Sequence, residues 1–153
     1  MKVIFIDVDG VCNNQRWLHD VYTSYGVDPQ SSVFEQRAMF LLRQLVDWTG
    51  AKLVLCSSWR VSEFAREIVA DNFSLYGLNI YSITGQEDGC RGNQIAAWLA
   101  RHDNVDSYVI LDDDDDMGPC MNHLVQTDAL TGLLPGHIRD AYEILMQGAI
   151  EYE

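Results

Sequence analysis

The sequence predicts an α/β fold built on a parallel sheet covered by helices on both faces, and three observations lead there. Short, almost wholly apolar runs recur, at Val3 to Ile6, Leu53 to Cys56, Asn79 to Ile83 and Tyr108 to Leu111. Strands that are apolar throughout are buried on both faces, which is the pattern of parallel sheets. Between the runs lie segments with apolar residues at helical spacing, the order that right-handed crossovers between parallel strands require. Polar clusters follow the runs, and in open parallel sheets ligands bind beside the carboxyl ends of the strands. At 153 residues and 48% apolar content, the chain is long enough for one core and too short for two, so a single domain over 1–153 is expected.

Taken in order, Val3 to Ile6 closes on Asp7-Val8-Asp9-Gly10, a strand and then a turn. From about Cys12 to Ser32 Asn, Gly, Pro and Ser accumulate, which reads as a loop or a very small insert, too short for a lid domain. Ser32 with Glu35 forms a capping-box signature, followed by Ala38, Leu41, Leu42, Leu45 and Val46 on one helical face up to Thr49-Gly50. The second strand ends in Ser57-Ser58-Trp59-Arg60, and Ser62 can cap a helix carrying Phe64, Ala65, Ile68 and Val69. A third strand follows Gly77, and Asn93 opens a helix with Ile95, Trp98 and Leu99 inward. The fourth strand runs into Asp112 to Asp116; a possible edge strand near His123 to Gln126 precedes a final helix with Ile138, Ala141, Tyr142, Leu145 and Met146 on one face.

Charge narrows the function classes. Ten Lys and Arg stand against 23 Asp and Glu, a net charge of −13, so the overall field repels polyanions and nonspecific nucleic-acid binding is disfavoured. A metal ion or a local cation can still override that field at one site. The four cysteines form no C-x-x-C pair and no histidine pair has zinc-ligand spacing, which fits a reduced cytoplasmic protein. No apolar run approaches a membrane span and no leader is evident, so a soluble, unprocessed chain without membrane partners is expected.

Four polar clusters should converge at one sheet edge: Asp7 and Asp9, Ser57 to Arg60, Arg91, and Asp112 to Asp116. A carboxylate can attack phosphorus only if a shared divalent ion and nearby cations offset their repulsion, and magnesium, with its oxygen ligands, suits the task. Asp7 is then nucleophile and ligand. Asp9, two residues on and on the same side of an extended backbone, can protonate the leaving oxygen and deprotonate water; it too is counted among the metal residues. Either Asp112 or Asp113 could be the direct ligand; Asp113 is favoured, with Asp112 and Asp116 orienting the shell. Ser57 can donate to a phosphoryl oxygen, with Ser58 beside it on the substrate. The only lysines, Lys2 and Lys52, begin strands at the wrong edge, so an arginine must serve: Arg91 is assigned the catalytic charge and Arg60 a substrate role.

Asp7-Val8-Asp9-Gly10 after an apolar strand, Ser57 after the second, a cation at Arg91 and Ile110-Leu111-Asp112-Asp113 resemble the four motifs of the haloacid dehalogenase superfamily, over nearly the whole chain. Cys56 to Arg60, Arg91 to Ile95 and Gln126 to Leu133 are more narrowly similar to a capless branch associated with RNA-repair proteins. The resemblance implies a Rossmann-like three-layer sandwich with a mainly parallel sheet and no large cap. It also implies Mg2+ and phosphatase activity, with Asp9 distinguishing phosphatases from dehalogenases. Arginine replaces the lysine many members carry. The expected substrate is a nucleotide or a phosphorylated nucleic-acid end, the runner-up a small phosphorylated metabolite.

Other readings fit less well. A calcium loop at Asp112 would need glycine sixth and glutamate twelfth, where Met117 and His123 stand. No glycine-flanked serine elbow supports a hydrolytic triad at Ser57. A receiver-type phospho-acceptor module would place its acceptor at a later strand. Trp98 reads as packing; Trp59 stands open between packing and base stacking. Cys56 reads as core.

Overall fold

The computed structural model describes residues 1–26, 34–87 and 89–150. Its centre is a five-stranded sheet, all parallel: β1 (Lys2–Ile6), β2 (Lys52–Leu55), β3 (Ile80–Ile83), β4 (Ser107–Asp112) and β5 (Leu124–Gln126), in the order β3-β2-β1-β4-β5. β1 is therefore the middle strand. The helices are α1 (Gln15–Tyr25), α2 (Gln36–Thr49), α3 (Glu63–Ser74), α4 (Arg91–Ala100) and α5 (Pro135–Ile150), with short 3₁₀ turns at Ser58–Arg60 and Gly118–His123.

Alternate side chains of the same strands enter two separate cores, which is why their sequences are apolar without a break. Ile4, Ile6, Leu53, Leu55, Val109 and Leu111 pack with residues of α2, α3 and α5 on one face. Val3, Phe5, Val54, Cys56 and Ile110 pack with Ile95 and Trp98 of α4 and with Met117 and Cys120 on the other. The result is the expected three-layer sandwich. Trp98 is a packing residue, 2% exposed and edge-on to Phe5.

Three sequence expectations need correction. The Cys12 to Ser32 stretch is not only loop, because α1 occupies Gln15–Tyr25. Asn14 caps it through Oδ1, which accepts from the Trp17 N–H at 2.8 Å, while the Gln15 and Arg16 N–H groups donate to the Ala129 and Leu130 carbonyls. The capping box fails at Glu35. That residue is the N-cap of α2 without a side-chain cap bond, its carboxylate being taken by Asn14 and Arg37, and Ser32 lies outside the described residues. Ser62 does cap α3, accepting from the Ala65 N–H, with Phe64 of its first turn 73% exposed, but the helix expected to open at Asn93 begins at Arg91.

Candidate active site

The sheet ladder continues one residue past β1 and thereby sets the site. The Asp7 N–H donates to the Leu111 carbonyl at 3.0 Å and the Cys56 N–H to the Ile6 carbonyl at 3.1 Å. Asp7 consequently stands between the ends of β2 and β4, where the strand order changes direction from β1 to β2 on one side and to β4 on the other. Such a reversal leaves a crevice at the carboxyl edge.

One oxygen each from Asp7, Asp112 and Asp113 lie within 4.8 Å of one another. Asp112 is fully buried: one oxygen accepts from Arg91 at 2.6 Å, the other from the Asp114 N–H at 2.9 Å. Arg91 also reaches Asp7, at 3.2 Å. Burial would ease the proton off this guanidinium, but Asp7 and Asp112 more than offset that and hold it more tightly than usual. One cation does not balance three carboxylates. Burial first, then the charge of Asp112, push the Asp7 carboxyl up to about 8, and burial with Asp112 also raises Asp113. Three hard oxygen donors with uncompensated negative charge fit a divalent cation of the magnesium type.

Two glycines make the cluster possible. Gly10, at φ 79°, lies so close to Asp113 that a Cβ there would stand 2.5 Å from its carboxyl carbon. Gly92, in the first turn of α4, lets the helix bearing Arg91 touch the acidic loop; its N–H donates to the Asp116 carbonyl, and a Cβ would overlap the Met117 backbone. Asp116 serves here by accepting from the Gly92 and Arg91 N–H groups, outside the carboxylate cluster.

Asp9 is placed differently from expectation. It is exposed, and both its side-chain oxygens are engaged by the chain: one accepts from Asn13 Nδ2 at 3.1 Å, the other from Trp59 Nε1 at 3.0 Å. The three oxygens that converge do not include its own. Trp59 is half-buried, edge-on to Phe34, and so packs and orients a carboxylate at once. Ser57, 1% exposed, accepts from the Trp59 N–H through Oγ and keeps its own proton to donate. Ser58 is exposed on the adjoining cleft.

Arg60 is the clearest departure. Its Nε donates to the Thr84 carbonyl, Nη1 to Cys56 and Ser57, and Nη2 to Gly85 and the Gln94 side chain. A guanidinium has five N–H groups, and all are spent. Arg60 is a buried strut joining the ends of β2, β3 and α4, with no donor left for a phosphate.

Sequence reasoning missed the supports. Thr127 donates through Oγ1 to the Gly10 carbonyl at 2.6 Å, and Gln126 through Nε2 to the Asp113 carbonyl at 3.1 Å, so the end of β5 and the residue after it tie both acidic loops together. Asn13 stands four residues after Asp9 and also accepts the Gly10 N–H, so one amide side chain closes the turn that carries Asp9.

A cleft of about 660 Å³ opens beside Asp9 and Asp113, between α1 and α3. No helix among the described residues is long and apolar enough to cross a membrane.

Fold and site together define a Rossmann-like α/β domain with an acidic, arginine-braced centre at the end of its middle strand. The chain belongs to the haloacid dehalogenase superfamily: the family described as HAD domain in Swiss Army Knife RNA repair proteins matches residues 3–138. No curated protein and no solved structure matches it. The superfamily generally hydrolyses phosphoesters and typically uses Mg2+.

Proposed function

We propose that the protein is a magnesium-dependent phosphomonoester hydrolase that works through a phosphate held transiently on Asp7. The observation that carries this reading is the cluster of Asp7, Asp112 and Asp113, braced by Arg91, at the switch point of the sheet. Asp7 and Asp113 would hold the ion, while Asp112 anchors Arg91. When bound, the ion neutralises the carboxylates and draws electron density from the phosphoryl oxygens.

The chain supplies the rest. An Asp7 oxygen attacks phosphorus, the bond from phosphorus to the ester oxygen breaks, and Asp9 gives that oxygen its proton. Asp9 then takes a proton from water as the water oxygen attacks the phosphorus on Asp7, and inorganic phosphate leaves. Trp59 and Asn13 hold Asp9 in register for both transfers. Arg91 and the Ser57 hydroxyl balance charge on the phosphoryl oxygens. The substrate class supported by the family's association with RNA repair is a nucleotide or a phosphorylated nucleic-acid end. A small phosphorylated metabolite is the alternative, favoured by the net charge of −13. The test is phosphate release from p-nitrophenyl phosphate with Mg2+, abolished by chelator; full activity in excess chelator would refute the metal assignment.

A further inference from the structure

The leaving group must lie on the side of Asp9, because that is where its oxygen receives a proton, and the cleft that opens there has a one-sided chemistry. Its walls carry Leu18 from α1, Trp59, and Phe64, Ala65 and Ile68 from α3. Phe64 presents its ring at 73% exposure on that wall, an apolar surface that the fold itself does not cover. Among the described residues of the lining, the charged ones are Asp9 and Asp113, and no lysine or arginine is among them. Arg91 is engaged with Asp7 and Asp112 in the acidic cluster, and Arg16 and Arg37 line a neighbouring hollow beyond Asn14 in company with Asp20 and Glu35, where Arg37 is paired with Glu35 at 2.9 Å. A second phosphate in the cleft therefore meets two carboxylates and no cation among the described lining residues.

We infer that this cleft is the leaving-group subsite, that it takes the uncharged planar ring of a nucleoside-type alcohol against Phe64 and Trp59, and that it turns away polyanions. The inference rests on the phosphatase reading and selects within it: a nucleoside monophosphate, and not the phosphorylated end of an oligonucleotide. Its volume of about 660 Å³ lies within the range of small-molecule sites. Stacking on an aromatic side chain tolerates any base, so the subsite should show little preference among them.

The test compares three esters with Mg2+: adenosine monophosphate, glycerol phosphate, which has no ring, and a 5′-phosphorylated tetranucleotide. Expected is a kcat/KM for adenosine monophosphate at least about tenfold above glycerol phosphate, the usual scale of one stacked base. Phe64→Ala, at an exposed position that leaves the core intact, should remove most of that advantage while changing glycerol phosphate less than about twofold. The tetranucleotide should be the poorest substrate and should improve with added salt as repulsion is screened. A tetranucleotide turned over as well as the mononucleotide, or an equal loss on both small esters in Phe64→Ala, would overturn the subsite. If no ester is hydrolysed, the phosphatase reading fails separately. The subsite is then judged by calorimetric binding of adenosine monophosphate against glycerol phosphate, where equal affinities, or no loss in Phe64→Ala, would overturn it.

Discussion

Arg60 and Arg91 stand at the same edge of the sheet, each in a helical turn after a strand or loop, and the sequence alone sends both to the reacting phosphate, Arg91 as the catalytic charge and Arg60 as a substrate contact. The structure separates them by their partners. Arg60 faces five acceptors of the chain itself, four carbonyls and one amide, and is used up in holding three elements together. Arg91 faces Asp7 and Asp112 in a cluster whose negative charge exceeds its own. A guanidinium is functional when its surroundings leave it work to do with an outside anion, and structural when they do not.

Swapping the expected outcomes of two variants would break this comparison. Arg91→Ala should lower kcat on p-nitrophenyl phosphate by about a hundredfold or more, the scale of removing one transition-state charge, with far-ultraviolet circular dichroism unchanged. Arg60→Ala should act on the fold, lowering unfolding free energy by about 3 kcal/mol or more because buried carbonyls lose their donor. A stable Arg60→Ala with a raised KM alone would restore its substrate role. Between these, Gly92→Ala keeps Arg91 but pushes its helix off the Met117 backbone. It should cost both stability and turnover, and a neutral outcome in kinetics would show that Arg91's placement is not critical.

The charge imbalance gives a pH signature. The Asp7 carboxyl, ordinarily near 3.8, is pushed up to about 8 in the fold, so between those values the folded state binds the extra proton. Without metal, stability should therefore fall as pH rises through that window and level off above it. Mg2+ should stabilise more at high pH than at low pH and release a proton on binding near neutrality. Urea midpoints in chelator and in Mg2+ across this range check it; a metal-free stability that rises with pH would contradict the burial argument. The smallest effect is expected for Trp59→Phe, which keeps the ring but removes one of the two donors to Asp9; turnover should drop by roughly tenfold or less, with Asp7 phosphorylation unaffected.

The strands β1, β2 and β4 were legible because burial on both faces leaves them almost wholly apolar, and the convergence of Asp7, Ser57, Arg91 and Asp112 to Asp113 was legible because each sits at or just past the end of a strand or at a helix start. What escaped depends on distant partners. No local pattern shows that Arg60's donors are consumed by β3 and α4, or that Thr127 and Gln126 tie down Gly10 and Asp113. α1 did leave a trace, Asn14 followed by Trp17, Leu18 and Val21 at helical spacing, but the Asn, Gly, Pro and Ser content around it outweighed the signal. Phe64 follows the helical period of α3 and still faces out, because the cleft, not the core, lies on that side.

The central claim is that Asp7 receives the phosphoryl group and Asp9 moves the protons, and Asp9→Asn tests it most directly. Its amide keeps the shape but can neither donate the first proton nor accept the second. Since p-nitrophenol is acidic enough to leave unaided, Asp7 should still be phosphorylated while hydrolysis stalls. Expected is a burst of nitrophenol approaching one equivalent, very slow turnover after it, and intact mass showing one phosphoryl group on Asp7, with neither burst nor label in Asp7→Asn. Linear kinetics at the wild-type rate, or phosphate on a serine or histidine, would contradict the division of labour between the two aspartates.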